Sequence, residues 1–166
     1  MNKQQVLWLI FLTALLFVPI FMLAIAMLPE PPVYAEAAAP SARLVRTDSG
    51  MELLPQPDTQ AYGDGGLSYK IHNQSQVTYR YQMEGGTIEV LQDGVWHQLK
   101  EHREHRPGDW DTGILFPGEL DWGVTFPYQD LYGLLPSGHY RVLNHIWPIG
   151  YFDEAFWVEL EFDVTE

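Results

Sequence analysis

The 166-residue sequence predicts an all-β sandwich of about seven to eight antiparallel strands, preceded by one N-terminal hydrophobic helix. Three observations lead there. From residue 67 onward, short segments of apolar/polar alternation are separated by turn residues. No polar stretch carries the 3.6-residue periodicity of a surface helix. Residues 131–141, LYGLLPSGHYR, place a tyrosine at the mouth of a strand just after a Pro and a Gly.

The hydrophobic helix comes first. Residues 6–28, VLWLIFLTALLFVPIFMLAIAML, contain no charge. At about 1.5 Å per residue such a helix spans roughly 34 Å, enough for a bilayer core of about 30 Å. Pro19 would kink it without excluding it. Lys3 precedes the run and the next basic residue is Arg43, so the N-terminus is expected to stay cytoplasmic with the rest outside. Residues 1–28 therefore read as a transmembrane anchor or signal peptide. Val33-Tyr34-Ala35 is an acceptable small-x-small site for cleavage after Ala35, which would release a secreted form. The apolar run is long for a signal peptide, whose core is about 7–15 residues. Residues 29–42, rich in Pro and Ala, read as a spacer, and 43–166 as the folded domain.

Composition narrows the function classes. There is no cysteine, so neither a disulfide nor a thiol-linked lipid is available. The formal net charge is −13, and of the acidic and basic residues only Lys3 and Glu30 precede residue 36. That balance argues against nucleic acid and against an anionic lipid surface.

Within the domain, Leu67, Tyr69 and Ile71 alternate with polar residues, and Asn73-Gln74-Ser75 supplies a turn. Val77, Tyr79, Tyr81 and Met83 form a second set, and Ile88 and Val90 a third. Gln92-Asp93-Gly94 is a hairpin signal leading into Val95-Trp96-His97. Trp122, Val124 and Phe126 alternate again, so Trp96 and Trp122 are expected in core strands. Residues 100–120 read as a long irregular connection. The last strand is the clearest, with Phe156, Val158, Leu160, Phe162 and Val164 on one face. Pairing it with the strand at Tyr140 sets Tyr140 opposite Phe162, Val142 opposite Leu160 and Asn144 opposite Val158 on the core side. On the outer face Arg141 then meets Glu161 and His139 meets Asp163. A slip by one residue would expose the whole apolar set. Tyr140 itself has the setting of a tyrosine corner, its ring closing the core and its hydroxyl reaching upstream backbone.

The stretch 67–146 resembles a bacterial immunoglobulin-like domain of exported and membrane-anchored Gram-positive proteins. The residues that carry the resemblance are Asn73 and Ser75, Gly94-Val95-Trp96, Pro117-Gly118-Glu119 before Trp122, and Asp130-Leu131-Tyr132-Gly133 leading to Pro136, Gly138, Tyr140 and Arg141. It implies a two-sheet sandwich without catalytic residues or cofactor. The antibody disulfide is missing, so none packs against Trp96.

Chemical signals are sparse. Glu101-His102-Arg103-Glu104-His105, with His97 before it, has two histidines three apart, but Arg103 and Arg106 oppose a cation and no established metal spacing matches. Asp109-Trp110-Asp111 offers only two of the six or more oxygens a hard cation needs. Both read as polar loop, so no metal and no cofactor is expected. Asn73-Gln74-Ser75 fits a glycosylation acceptor and reads as a turn. No G-x-S-x-G occurs, and the serines lie in turn contexts. Trp147 and Trp157 fall on the outward parity of their strands and form a candidate ligand face. The expectation is a non-catalytic binding module displayed outside the cell, its partner an envelope protein or a glycan. The alternative is a carbohydrate-binding module using Trp147 and Trp157.

Overall fold

In a computed structural model the chain divides into two compact units, Met1–Pro32 and Val33–Glu166. The structure describes residues 3–4, 32–56, 66–83, 86–102 and 111–165. The apolar run 6–28 lies outside the described residues. Among the described residues no helix is long and apolar enough to cross a membrane.

The second unit is an all-β, immunoglobulin-like sandwich of two antiparallel sheets. Its strands are β1 (Ala37–Pro40), β2 (Met51–Pro55), β3 (Leu67–Asn73), β4 (Tyr79–Gln82), β5 (Thr87–Gln92), β6 (Val95–Leu99), β7 (Thr112–Leu115), β8 (Val124–Phe126), β9 (Gly138–Pro148) and β10 (Phe156–Val164). One helical turn, α1 (Tyr128–Tyr132), follows β8. The small sheet runs β2-β3-β8. The large one runs β1-β6-β5-β9-β4-β7, with β10 on β9.

β9 organises the large sheet because its 11 residues are long enough to serve three partners. Along one edge Tyr140–Leu143 pair with β5, and Ile146–Pro148 pair with β4. The other edge takes β10 from Phe156 opposite Ile146 to Val164 opposite Gly138. Tyr140 faces Phe162, Val142 faces Leu160 and Asn144 faces Val158, the register expected from alternation. Arg141 is opposite Glu161 and His139 opposite Asp163 on the backbone.

The core fills the space between the sheets. β3 alternates perfectly, burying Leu67, Tyr69, Ile71 and Asn73. They meet Tyr79, Tyr81, Ile88, Val142, Ile146, Phe156 and Val158 of the large sheet, and Tyr132 of α1 closes against Phe126 at 6.4 Å. Asn144 is polar but satisfied: its amide donates to the Tyr69 hydroxyl (3.0 Å) and to Gln82 O (2.9 Å).

Two expectations need correction. Residues 33–42 are not a spacer. Leu134 N–H donates to Val33 O (2.9 Å), Ala35 N–H to Leu134 O (2.8 Å), and β1 pairs with β6. Ala and Pro residues show no side-chain alternation, yet they lend backbone to an edge strand, where proline is tolerated. The connection 100–120 is not irregular throughout, since β7 pairs with β4 from Thr112–Gln82 to Leu115–Tyr79. Gly113 makes this possible: a Cβ there would lie 2.4 Å from the Tyr81 ring.

Candidate interaction surface

Beyond β1 the chain stays on the large sheet as far as Arg46. Ser41 N–H donates to Trp96 O on β6 (2.7 Å), and Arg46 N–H donates to Trp157 O on β10 (2.9 Å). Residues 41–46 thus form a strap across the outer face, over β5 and β9. Beneath it lies Glu89, which shares the face of its partner Arg141 because Ile88 and Val90 point into the core. Its side chain is 0% exposed. It accepts from Ser41 Oγ, from Arg43 Nη1 (2.9 Å), and from Arg141 Nε (2.9 Å) and Nη2 (2.6 Å). Arg141 Nη1 also reaches Glu159 (2.8 Å). A buried carboxylate is tolerable only with such a set of donors. Arg141 is therefore not engaged by Glu161, its backbone partner, which bonds His139 instead.

Aromatic rings flank this ionic cluster. The Arg141 guanidinium lies 4.5 Å from the Trp96 ring centre and that of Arg43 lies 5.1 Å from Trp157. Trp96 is consequently on the outer face, half-buried, and not in the sandwich core as its strand pattern suggested. Its partner across the ladder is Leu91, two residues from Glu89 and on the same side. Trp157 stacks on His145 at 4.6 Å, and His145 is also 5.5 Å from Trp147 and 5.8 Å from Phe152. Burial, helped by the Arg43 charge, pulls the His145 pKa below its usual value. Trp147 and Trp157 thus stand together on the outer face, each half-buried.

At the far end of the same face His139 is held from both sides. Nδ1 lies 2.7 Å from Asp163 and Nε2 lies 2.8 Å from Glu161. The hydrogen bond to Asp163, then that to Glu161, raises its pKa above the ordinary histidine value. On the core side Tyr140 donates its hydroxyl to Pro136 O (2.7 Å) and stacks on Phe162 at 5.7 Å. Burial pushes its pKa up to about 12. This is the tyrosine corner, and it is scaffold.

The small sheet presents the opposite arrangement. Leu120 bridges His72, and Asp121 N–H donates to Ile71 O (3.0 Å), yet Val124 pairs with Tyr69. Asp121 to Val124 therefore spans one residue more than Ile71 to Tyr69, which defines a β-bulge. Gly123 absorbs it at φ +122°. The parity of the strand flips across it. Asp121 turns inward and Trp122, expected in the core with Val124 and Phe126, is 99% exposed. Asp121 accepts the Ile71 N–H (2.7 Å) and also the Tyr81 hydroxyl and Gly123 N–H. Burial still leaves its pKa above the usual carboxylate value. Burial and this carboxylate push Tyr81 up to about 12. Leu120, two residues before it on the same side of the strand, is also exposed. Sequence reasoning missed this element, although Asp and Gly on either side of a Trp inside an alternating run carry the signal of a bulge.

The weaker chemical candidates resolve partly. Among the described residues no group of three or more His, Asp or Glu converges as a metal site. His97 sits in β6, and His102 N–H donates to Leu131 O (2.7 Å). Glu104, His105, Asp109 and Trp110 lie outside the described residues. The Asn73 side chain is a buried turn element, donating to Val77 O (2.8 Å) and Leu115 O (3.1 Å) and accepting from Ser75.

No family model matches the chain, and no curated protein matches it significantly. Among solved structures it is similar to a FixG-related protein from Vibrio parahaemolyticus (17% identity over 70% of this chain and 96% of that one, TM-score 0.34). It is similar to the ASH / PapD-like domain of human CEP192 (12% identity, 82% and 87% covered, TM-score 0.30). It is also similar to the putative ApaA protein from Bordetella pertussis (13% identity, 81% and 93% covered, TM-score 0.27). At such scores these likenesses carry no argument about activity or partner.

Proposed function

We propose that this chain is a non-catalytic, immunoglobulin-like interaction module, held outside the cell by residues 6–28 as in the Gram-positive domains it resembles, and that it meets another envelope component through Trp122. The exposure of Trp122 carries this reading. An indole that size would bury roughly 150–250 Å², so leaving it in water forgoes about 4–6 kcal/mol at about 25 cal/mol per Å². A bulge, a glycine at positive φ and a buried aspartate are all spent on keeping the ring out. Tryptophan is enriched among the residues that carry most of the binding energy of protein interfaces, and the exposed Leu120 adds apolar surface next to it.

A photo-cross-linking residue at Leu120 of the full-length protein, in intact cells, tests the reading. A discrete adduct is expected, and Trp122→Ala should abolish it while changing stability by less than about 0.5 kcal/mol. An adduct that persists unchanged in Trp122→Ala would end the assignment.

A further inference from the structure

The strap leaves the large sheet at an edge that it only begins to cover. Val45 bridges Trp157 in parallel, and the Arg46 N–H donates to the Trp157 carbonyl. The Trp157 backbone therefore points away from β9. In an antiparallel pair these directions repeat every second residue, so Glu159, Glu161 and Asp163 also turn their N–H and C=O groups outward. After Arg46 the chain passes to β2 in the small sheet, and among the described residues no backbone group bonds these three on that side. Beside this edge a cleft of about 370 Å³ is lined by Pro55 and Leu67 of the small sheet and by Leu160 and Phe162 of β10. Leu160 has the parity of the core yet is only half-buried.

β10 lacks the proline, lysine, bulge and short length that commonly guard an exposed sheet edge. Its nine residues, FWVELEFDV, face β9 without a register shift. The edge strand β1, by contrast, has four residues, a register shift and Pro40. What β10 does carry is acid, with Glu159, Glu161 and Asp163 on its outer row. Arg141 holds Glu159, whereas Glu161 and Asp163, 51% and 72% exposed, share the single ring of His139. One imidazolium cannot neutralise two carboxylates, so the edge stays negative.

We propose that β10 is a docking edge for an extended segment of a partner protein in which basic and apolar residues alternate. The segment adds as a further strand alongside residues 159–163. Its backbone bonds the outward N–H and C=O groups. Its basic side chains meet Glu161 and Asp163 on the outer face, and its apolar side chains enter the cleft by Leu160 and Pro55. A second copy of this chain is a poor occupant, because antiparallel pairing of two β10 strands sets one acidic row against the other. The edge belongs to the large sheet and is independent of the reading given to Trp122.

Titration calorimetry on the full chain in detergent micelles tests the proposal, with a blocked heptapeptide of alternating lysine and valine as probe. The same peptide with glutamate in place of lysine should bind at least tenfold more weakly. Two further versions carry N-methyl groups, one on the lysine amides and one on the valine amides. These amides point to opposite edges of an extended peptide. Whichever way the added strand runs, one version should therefore keep its affinity and the other should lose at least tenfold. Glu161→Gln should weaken binding about two- to fivefold. Glu161→Pro also removes an outward N–H, at an edge where proline is tolerated, and should abolish binding. Equal affinity of the two methylated peptides would overturn the proposal, because charge alone would then hold the peptide. Equal binding of the lysine and glutamate peptides, undiminished affinity of Glu161→Pro, or no binding of the lysine peptide at millimolar concentration would each overturn it as well.

Discussion

In both sheets a buried carboxylate decides where a tryptophan goes, with opposite results. On the large sheet Glu89 draws in Arg43 and Arg141, and these guanidiniums lie against Trp157 and Trp96 and keep both rings half-covered. On the small sheet Asp121 is satisfied by backbone N–H groups and a tyrosine hydroxyl. No ion pair to Asp121 forms among the described residues, and Trp122 is left in solvent. The difference lies in the donors. Arginines bring long apolar stems and flat charged heads that cover aromatic surface, whereas backbone donors satisfy a carboxylate and cover nothing.

The comparison breaks most visibly at Glu89. Glu89→Ala leaves Arg141 buried without its main acceptor and cuts Arg43 loose, and loss of one partner from a buried ion pair costs about 3–5 kcal/mol. Urea unfolding should show a loss of that size. A loss below about 1 kcal/mol would mean that the strap, not the ion cluster, holds the outer face. Asp121→Ala should cost less, about 1–3 kcal/mol, because the groups left unpaired are neutral donors. It should also weaken the Leu120 cross-link although Trp122 itself is intact. If the cross-link survives a destabilised Asp121→Ala protein, the bulge is not what presents the ring.

The two regions also differ in how legibly the sequence encodes them. The β9–β10 register was readable because strict alternation makes every one-residue slip expose Phe156 through Val164. Tyr140 was readable because a Pro-Gly turn before a tyrosine has few other uses. Trp147 and Trp157 followed from the same parity. Trp96 did not, because the outer face it occupies is covered by residues 41–46, some fifty positions away in the chain, and alternation reports only which side a residue takes. Trp122 failed for a local reason: the residue before Gly123 lies on the far side of a parity flip. Glu89 could be read as outward-facing, but its three side-chain partners come from the strap and β9, and no local pattern announces them. Residues 33–42 were misread because their contribution is backbone pairing, which leaves no mark in side-chain periodicity.

The smallest expected effect is at His139, where the outer face meets solvent, and its sign is fixed by the protonation state. Both ring nitrogens are within hydrogen-bond distance of a carboxylate, and only the imidazolium can donate from both. Its folded pKa is raised by these partners above the unfolded value of about 6.5. The stabilisation is therefore fully present below about pH 6.5 and is lost as pH rises through the folded value. His139→Gln has no such titration. The gap in urea midpoint between the parent and His139→Gln should be widest near pH 5.5–6 and should close toward pH 8.5. Because the ring is open to solvent, added salt should shrink the gap further. The cluster at Glu89, shielded by the strap, should keep its contribution across the same salt range. A gap at His139 that is flat with pH, or that widens as pH rises, would show that Asp163 and Glu161 are held apart from the ring in solution.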